Sequence, residues 1–219
     1  MKLSLRSICG AAMTGLLGLA LATPVEAAPL SAGGLLLPVP QESDPSGGTT
    51  IDSLSSGFIA AGAFSGTLRS LVVKNDASNP LGGLTFIYQM FNDGVAGNHS
   101  IGRLAINSFI GFATDVSYQV APNEVAPIYA DRGVNGGVVG FSFFPYAGDP
   151  HTGFLDPGEI STVMVVQTNA KAYQRVMASV IDGSITTAES FGPIVPEPSS
   201  VALLGLGVAA AGLVVRRRR

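Results

Sequence analysis

A chain of 219 residues has room for one domain of ordinary size with short appendages and excludes a second large domain. Hydrophobic residues make up 47% and charged residues 12%, with 28 Gly and 14 Pro, a balance that argues against long surface helices and for strands joined by many turns. The formal charge of −3 hides an asymmetry: residues 28–195 hold six Lys and Arg against thirteen Asp and Glu, a net −7, which excludes nucleic acid as a partner.

The first 27 residues read as a signal peptide. Lys2 and Arg6 precede an apolar stretch over 8–22, and Val25-Glu26-Ala27 supplies the short residues signal peptidase accepts, which places cleavage between Ala27 and Ala28. The stretch is short for a membrane span. Cys9, the sole cysteine, sits ahead of most of the apolar segment instead of behind it, which argues against a lipoprotein, and the body is left with no disulfide and no thiol nucleophile.

Residues 28–56 are rich in Pro, Gly, Ser and Thr and are expected to be a partly flexible lead-in, with residues 35–37 able to pair as an edge strand. A β-sandwich domain is expected over 57–193. In LTFIYQMF (84–91), Leu84, Phe86, Tyr88 and Met90 fall on one face and Thr85, Ile87, Gln89 and Phe91 on the other. Further strands are predicted within 58–74, 104–120, 136–146, 160–168, 174–181 and 184–191. Asn79-Pro80, Asn92-Asp93-Gly94, Asn135-Gly136-Gly137 and Asp156-Pro157-Gly158 mark turns between them, and Asp182-Gly183 reads as a two-residue hairpin turn. The expected fold is all-β: an antiparallel β-sandwich of about eight strands, flanked by a signal-peptide helix and a C-terminal transmembrane helix.

Chemistry is sparse along this body. His99 and His151 lie in separate loops without an i+4 partner or a cysteine, so no zinc site is expected. Asp149, Asp156 and Glu159 cluster in DPHTGFLDPGE, which raises calcium, but the stretch lacks the EF-hand pattern and is read first as a turn; the sequence leaves calcium binding at 149–159 open. No GxSxG elbow and no GxxxxGK phosphate loop occurs. Paired carboxylates for glycoside hydrolysis need only meet in space, so a hydrolase remains a minor reading. Asn98-His99-Ser100 is a chance sequon in this setting. The aromatics sit mostly at strand spacing, as core residues do; an exposed row of them would make a sugar-stacking platform, though the chain has no Trp. No catalytic residue, metal or cofactor is assigned.

The C-terminus has three parts in fixed order. Pro193, Pro196 and Pro198 keep the chain extended, residues 199–215 form a charge-free apolar run that can cross a bilayer with help from its flanks, and Arg216, Arg217, Arg218 and Arg219 favour the cytoplasmic side. Pro196-Glu197-Pro198, the apolar run and the arginines together resemble the PEP-CTERM sorting signal of Gram-negative bacteria, over 194–219. That resemblance implies recognition at Pro196, Glu197 and Pro198 by a membrane-embedded exosortase, removal of the tail, and delivery to the cell surface or an exopolysaccharide matrix. FSGTLRSLVV, GGLTFIYQM, TDVSY, VVGFSFF, LDPGEISTVMVVQTNAKAY and SVIDGSITTAESFGP are similar to the region that often precedes this tail, over about 64–193; this similarity supports a sandwich and implies no activity. The expected partners are signal peptidase and exosortase during export, the cytoplasmic membrane before processing, and exopolysaccharide. The function expected is that of a non-enzymatic surface or matrix protein, with a carbohydrate-binding module of the matrix as the alternative.

Overall fold

The computed structural model describes residues 27–95, 99–119, 121–144 and 153–194. Among them every regular element is a strand, and the strands form two sheets. The expected signal-peptide helix and the expected transmembrane helix over 199–215 lie outside the described residues.

The first sheet is built on a long hairpin, β3 (Thr49–Ala60) with β4 (Phe64–Lys74); the second on another, β13 (Tyr173–Asp182) with β14 (Ser184–Pro193). β4 continues to β5 (Thr85–Asn92). The far edge of β5 pairs with β12 (Val163–Thr168) and then with β11 (Ile160–Ser161), and β12 leads through β7 (Thr114–Gln119) to β1 (Ala28–Pro29). β8 (Glu124–Val125) runs parallel to β11, a departure from the antiparallel rule. In the second sheet β13 is followed by β6 (Arg103–Ile106), β10 (Val139–Ser142), β9 (Tyr129–Arg132) and, at the edge, β2 (Leu35–Leu36). The described residues form fourteen strands against about eight expected, half of the excess because predicted stretches divide (58–74 turns over at Gly62, φ 74°; 104–120 belongs to both sheets, β6 in one and β7 in the other; 160–168 splits into β11 and β12) and half because the short β1, β8 and β9 were not expected.

The core lies between the sheets. Phe86, Tyr88 and Met90 point inward from β5 as the alternation predicts, and meet Leu104, Phe141, Val180 and Phe191 of the second sheet in one buried cluster. Aromatic rings meet edge to face, Phe86 with Phe109 at 6.0 Å and Tyr173 with Phe191 at 5.6 Å, an arrangement favoured by the ring quadrupoles. The Tyr88 hydroxyl is fully buried and donates to the Phe191 carbonyl at 2.8 Å, which ties the sheets together, and burial pushes its phenol well above the usual range.

Residues 28–48 run along the body instead of trailing from it. β1 pairs with β7 and β2 with β9; the chain then runs parallel to the edge of β7, where Tyr118 N–H donates to the Pro40 carbonyl (3.0 Å) and Glu42 N–H to the Tyr118 carbonyl (2.9 Å), and crosses onto the first sheet's outer face at Asp44 and Pro45. Leu30 and Val39 are buried, so this Pro/Gly/Ser-rich stretch is irregular in backbone but anchored by its few large apolar residues. Leu35–Leu36 is the edge pairing expected there, and β3 starts at Thr49, ahead of the domain start expected at 57.

Candidate functional site

The outer face of the first sheet carries a groove whose pattern follows from strand alternation. Side chains of β3, β4 and β5 that point away from the core line up in rows fixed by the register. The middle row is polar: Ser55 opposite Arg69, and Arg69 opposite Gln89. One row to the side stand Ser53, Leu71 and Ile87; on the other side stand Gly57, Thr67, Phe91 and Ile160. Two depressions, of about 590 and 340 Å3, meet over the middle row and share Ser55, Arg69 and Gln89. The crossing segment supplies a wall at Pro45, held there by Ser117 Oγ, which donates to the Asp44 carboxylate (3.2 Å), and by the Gln119 side-chain amide, which donates to the Asp44 carbonyl.

Gln89 is held in place. Its Nε2 donates to Glu124 Oε1 at 3.0 Å and to the Ser161 carbonyl at 3.2 Å, so the amide nitrogen faces Glu124 and the amide oxygen faces away from it. Glu124 Oε2 is buried with no hydrogen-bond partner. Arg69 is exposed and forms no ion pair with a described carboxylate. The groove therefore offers a free guanidinium, an oriented amide and two serine hydroxyls between apolar strips, which are groups suited to holding a ligand by donors, acceptors and contact area.

The residues singled out in the sequence take other places. Ala27 is buried and Ala28 is the first residue of β1. Pro196, Glu197, Pro198 and Arg216, Arg217, Arg218 and Arg219 lie outside the described residues, as do His151, Asp149 and Asn98. Glu159 Oε2 accepts from Asp156 N–H at 2.7 Å across the turn at Gly158 (φ 89°), and the Asp156 carboxylate accepts from Ser100 Oγ at 2.6 Å, which ties that turn to the segment before β6. Among the described residues no three His, Cys, Asp or Glu gather as a metal site. His99 is exposed beside Asp182, whose carboxyl is raised by burial and lowered in part by the charge of His99. The described aromatics form no exposed row: Phe64, Phe86, Tyr88, Phe109, Phe141 and Phe143 are buried, and Phe91, 37% exposed, is the aromatic that the groove presents.

Arg69 and Gln89 were legible only as strand residues of outward phase. Nothing in FSGTLRSLVV or LTFIYQMF says that they face one another, because that depends on the pairing of β4 with β5.

At the C-terminal end the described chain closes on one backbone hydrogen bond, from Ile194 N–H to the Ala172 carbonyl at 3.1 Å. Residues 195–219, which begin at the next position, match the family described as the PEP-CTERM protein-sorting motif. The chain carries a PEP-CTERM sorting signal. That signal implies export, membrane-associated sorting and processing by an exosortase. No curated protein and no solved structure matches the chain. The PEP-CTERM motif thus starts directly after the last described residue, Ile194.

Proposed function

We propose that this is a protein of the cell surface or extracellular matrix of a Gram-negative bacterium, with a structural or adhesive role and no catalytic one. Signal peptidase cuts between Ala27 and Ala28; the run over 199–215 then holds the body on the periplasmic side, with Arg216, Arg217, Arg218 and Arg219 in the cytoplasm. Residues 195–198 reach at most about 14 Å when extended, so the body waits close to the bilayer until the exosortase acts at Pro196-Glu197-Pro198.

The observation that carries this reading is the position of the motif. Among the described residues the backbone hydrogen bond nearest the motif belongs to Ile194, and every described strand pairing lies ahead of residue 195. The N-terminal side is similar, since cleavage before Ala28 leaves β1 whole. A signal that is cut away is best placed outside the cooperative unit, and both expected cuts fall beside the ends of the described body. The groove on the first sheet, made of binding groups, gives such a protein a surface with which to hold a matrix component.

The test is mass spectrometry of both termini on protein recovered from the native host by cell fraction. The expected result is a chain that begins at Ala28, ends near Pro196 and is found outside the inner membrane. A chain that still ends in its four arginines and stays with the inner membrane overturns the sorting and matrix reading.

A further inference from the structure

We propose that the groove over Ser55, Arg69 and Gln89 binds an anionic glycan, a sugar chain bearing carboxylates, with a uronate carboxylate on Arg69. The inference rests on the matrix reading above for its biological setting, but its support is local. Of the six cations in residues 28–195, four are satisfied by the protein itself. Arg103 pairs with Asp131, Arg175 with Glu189, Lys171 Nζ donates to the Gly82 carbonyl, and Arg132 is enclosed by oxygens. Arg69 and Lys74 have no such partner among the described residues, and Arg69 alone stands in the middle of a sheet face, over two joined depressions. A planar, permanently charged fork in that position matches a carboxylate in bidentate geometry.

The surroundings favour a sugar over an acidic peptide. Peptides that bind sheets do so by adding a strand at an edge, where backbone N–H and C=O groups are free. β3 is an edge strand, but β4 and β5, which carry Arg69 and Gln89, are each paired on both sides, so the backbone at the centre of the groove has nothing to offer. What remains is side chain: an oriented amide and hydroxyls for ring hydroxyl groups, and the apolar strips Leu71–Ile87 and Phe91–Ile160 for the C–H faces of the rings. Rows on one face repeat about every 6.6 Å along a strand, so the polar row lies within reach of both strips at once. The body's net −7 opposes any polyanion at long range, so the site selects by contact and not by steering.

The experiment is titration calorimetry of the exported protein, in whichever terminal form the host yields, with an oligogalacturonate and with its methyl ester. Arg69→Gln, Arg69→Lys and Phe91→Ala are compared with Arg175→Gln, a control on the opposite sheet. The expected result is binding of the free acid that weakens at least tenfold on esterification and at least tenfold in Arg69→Gln, is partly kept in Arg69→Lys, falls in Phe91→Ala and is unchanged in Arg175→Gln. Polyglutamate should not compete at equal carboxylate concentration. Absence of binding, equal binding of ester and acid, indifference to Arg69→Gln, or displacement by polyglutamate each overturns the proposal; the ester comparison uses the unaltered protein and does not depend on a variant folding. Inner-membrane retention together with Arg69-dependent binding would sink the matrix reading and leave the groove standing. Release to the matrix without binding would do the reverse.

Discussion

Arg132 is 7% exposed and uses all five of its N–H groups: Nε to the Gly136 carbonyl (3.0 Å), Nη1 to the Leu30 carbonyl (3.0 Å) and Thr114 Oγ1 (2.9 Å), and Nη2 to the carbonyls of Phe109 (2.8 Å) and Phe112 (2.7 Å). Three segments far apart in sequence are thereby fixed around one guanidinium. Burial lowers its pKa, yet arginine stays charged, so the cost of desolvation is carried by these bonds. We expect Arg132→Met to lose about 3–5 kcal/mol in urea unfolding, because it strands the carbonyls, and Arg132→Lys to recover little, since three donors on a point charge cannot replace a five-donor fork. In the sequence Arg132 was one cation among six, with nothing in YADRGVNGG to set it apart from Arg69. One is a structural hub and the other the free charge of the groove, and only the tertiary arrangement of acceptors separates them.

At the scale of elements, alternation was informative and register was not. The inward phase of Phe86, Tyr88 and Met90 could be read directly, as could the hairpin at Asp182-Gly183. Its turn differs from expectation: Asp182 pairs with Ser184, so Gly183 (φ 60°) alone separates the paired strands instead of two residues. A slip of one residue decides which face each side chain occupies, and with it which rows assemble across the sheet. Gly140, at the centre of the second sheet, is a comparable case. A Cβ there would lie 2.1 Å from Arg103 Nη2, and the glycine is what lets the guanidinium cross β10 to reach Asp131 and donate to Ser142 Oγ (2.7 Å). We expect Gly140→Ala to destabilise the protein by about 1–2 kcal/mol, and by much less in an Arg103→Ala background, where nothing remains to be displaced. A double-mutant cycle by chemical denaturation reads the coupling; equal costs in both backgrounds would show that the strand backbone, and not the ion pair, needs the glycine.

For the whole molecule the question is where the cooperative unit ends. The two-sheet, all-β architecture followed from composition and turn spacing, whereas the anchoring of 28–48 did not, because a stretch rich in Pro, Gly and Ser looks the same in sequence whether or not Leu30 and Val39 find pockets. The C-terminal limit is sharper. Phe191 is 1% exposed, its ring meets Tyr173 and its carbonyl receives the Tyr88 hydroxyl, while Ile194 closes the ladder on Ala172. A chain that ends at Ile194 should melt at the same temperature as one that carries residues 195–219. A chain that ends at Ser190 loses a buried ring, the acceptor of Tyr88 and the end of the β14 ladder, a loss of about 3–5 kcal/mol by analogy with Phe→Ala in a core, enough to lower the midpoint by roughly 10 °C or more in a domain of this size. Calorimetric melting of the two truncations decides it. If the cut at Ile194 already lowers the midpoint, the sorting tail contributes to the fold, and an exosortase would release a weakened body instead of an intact one.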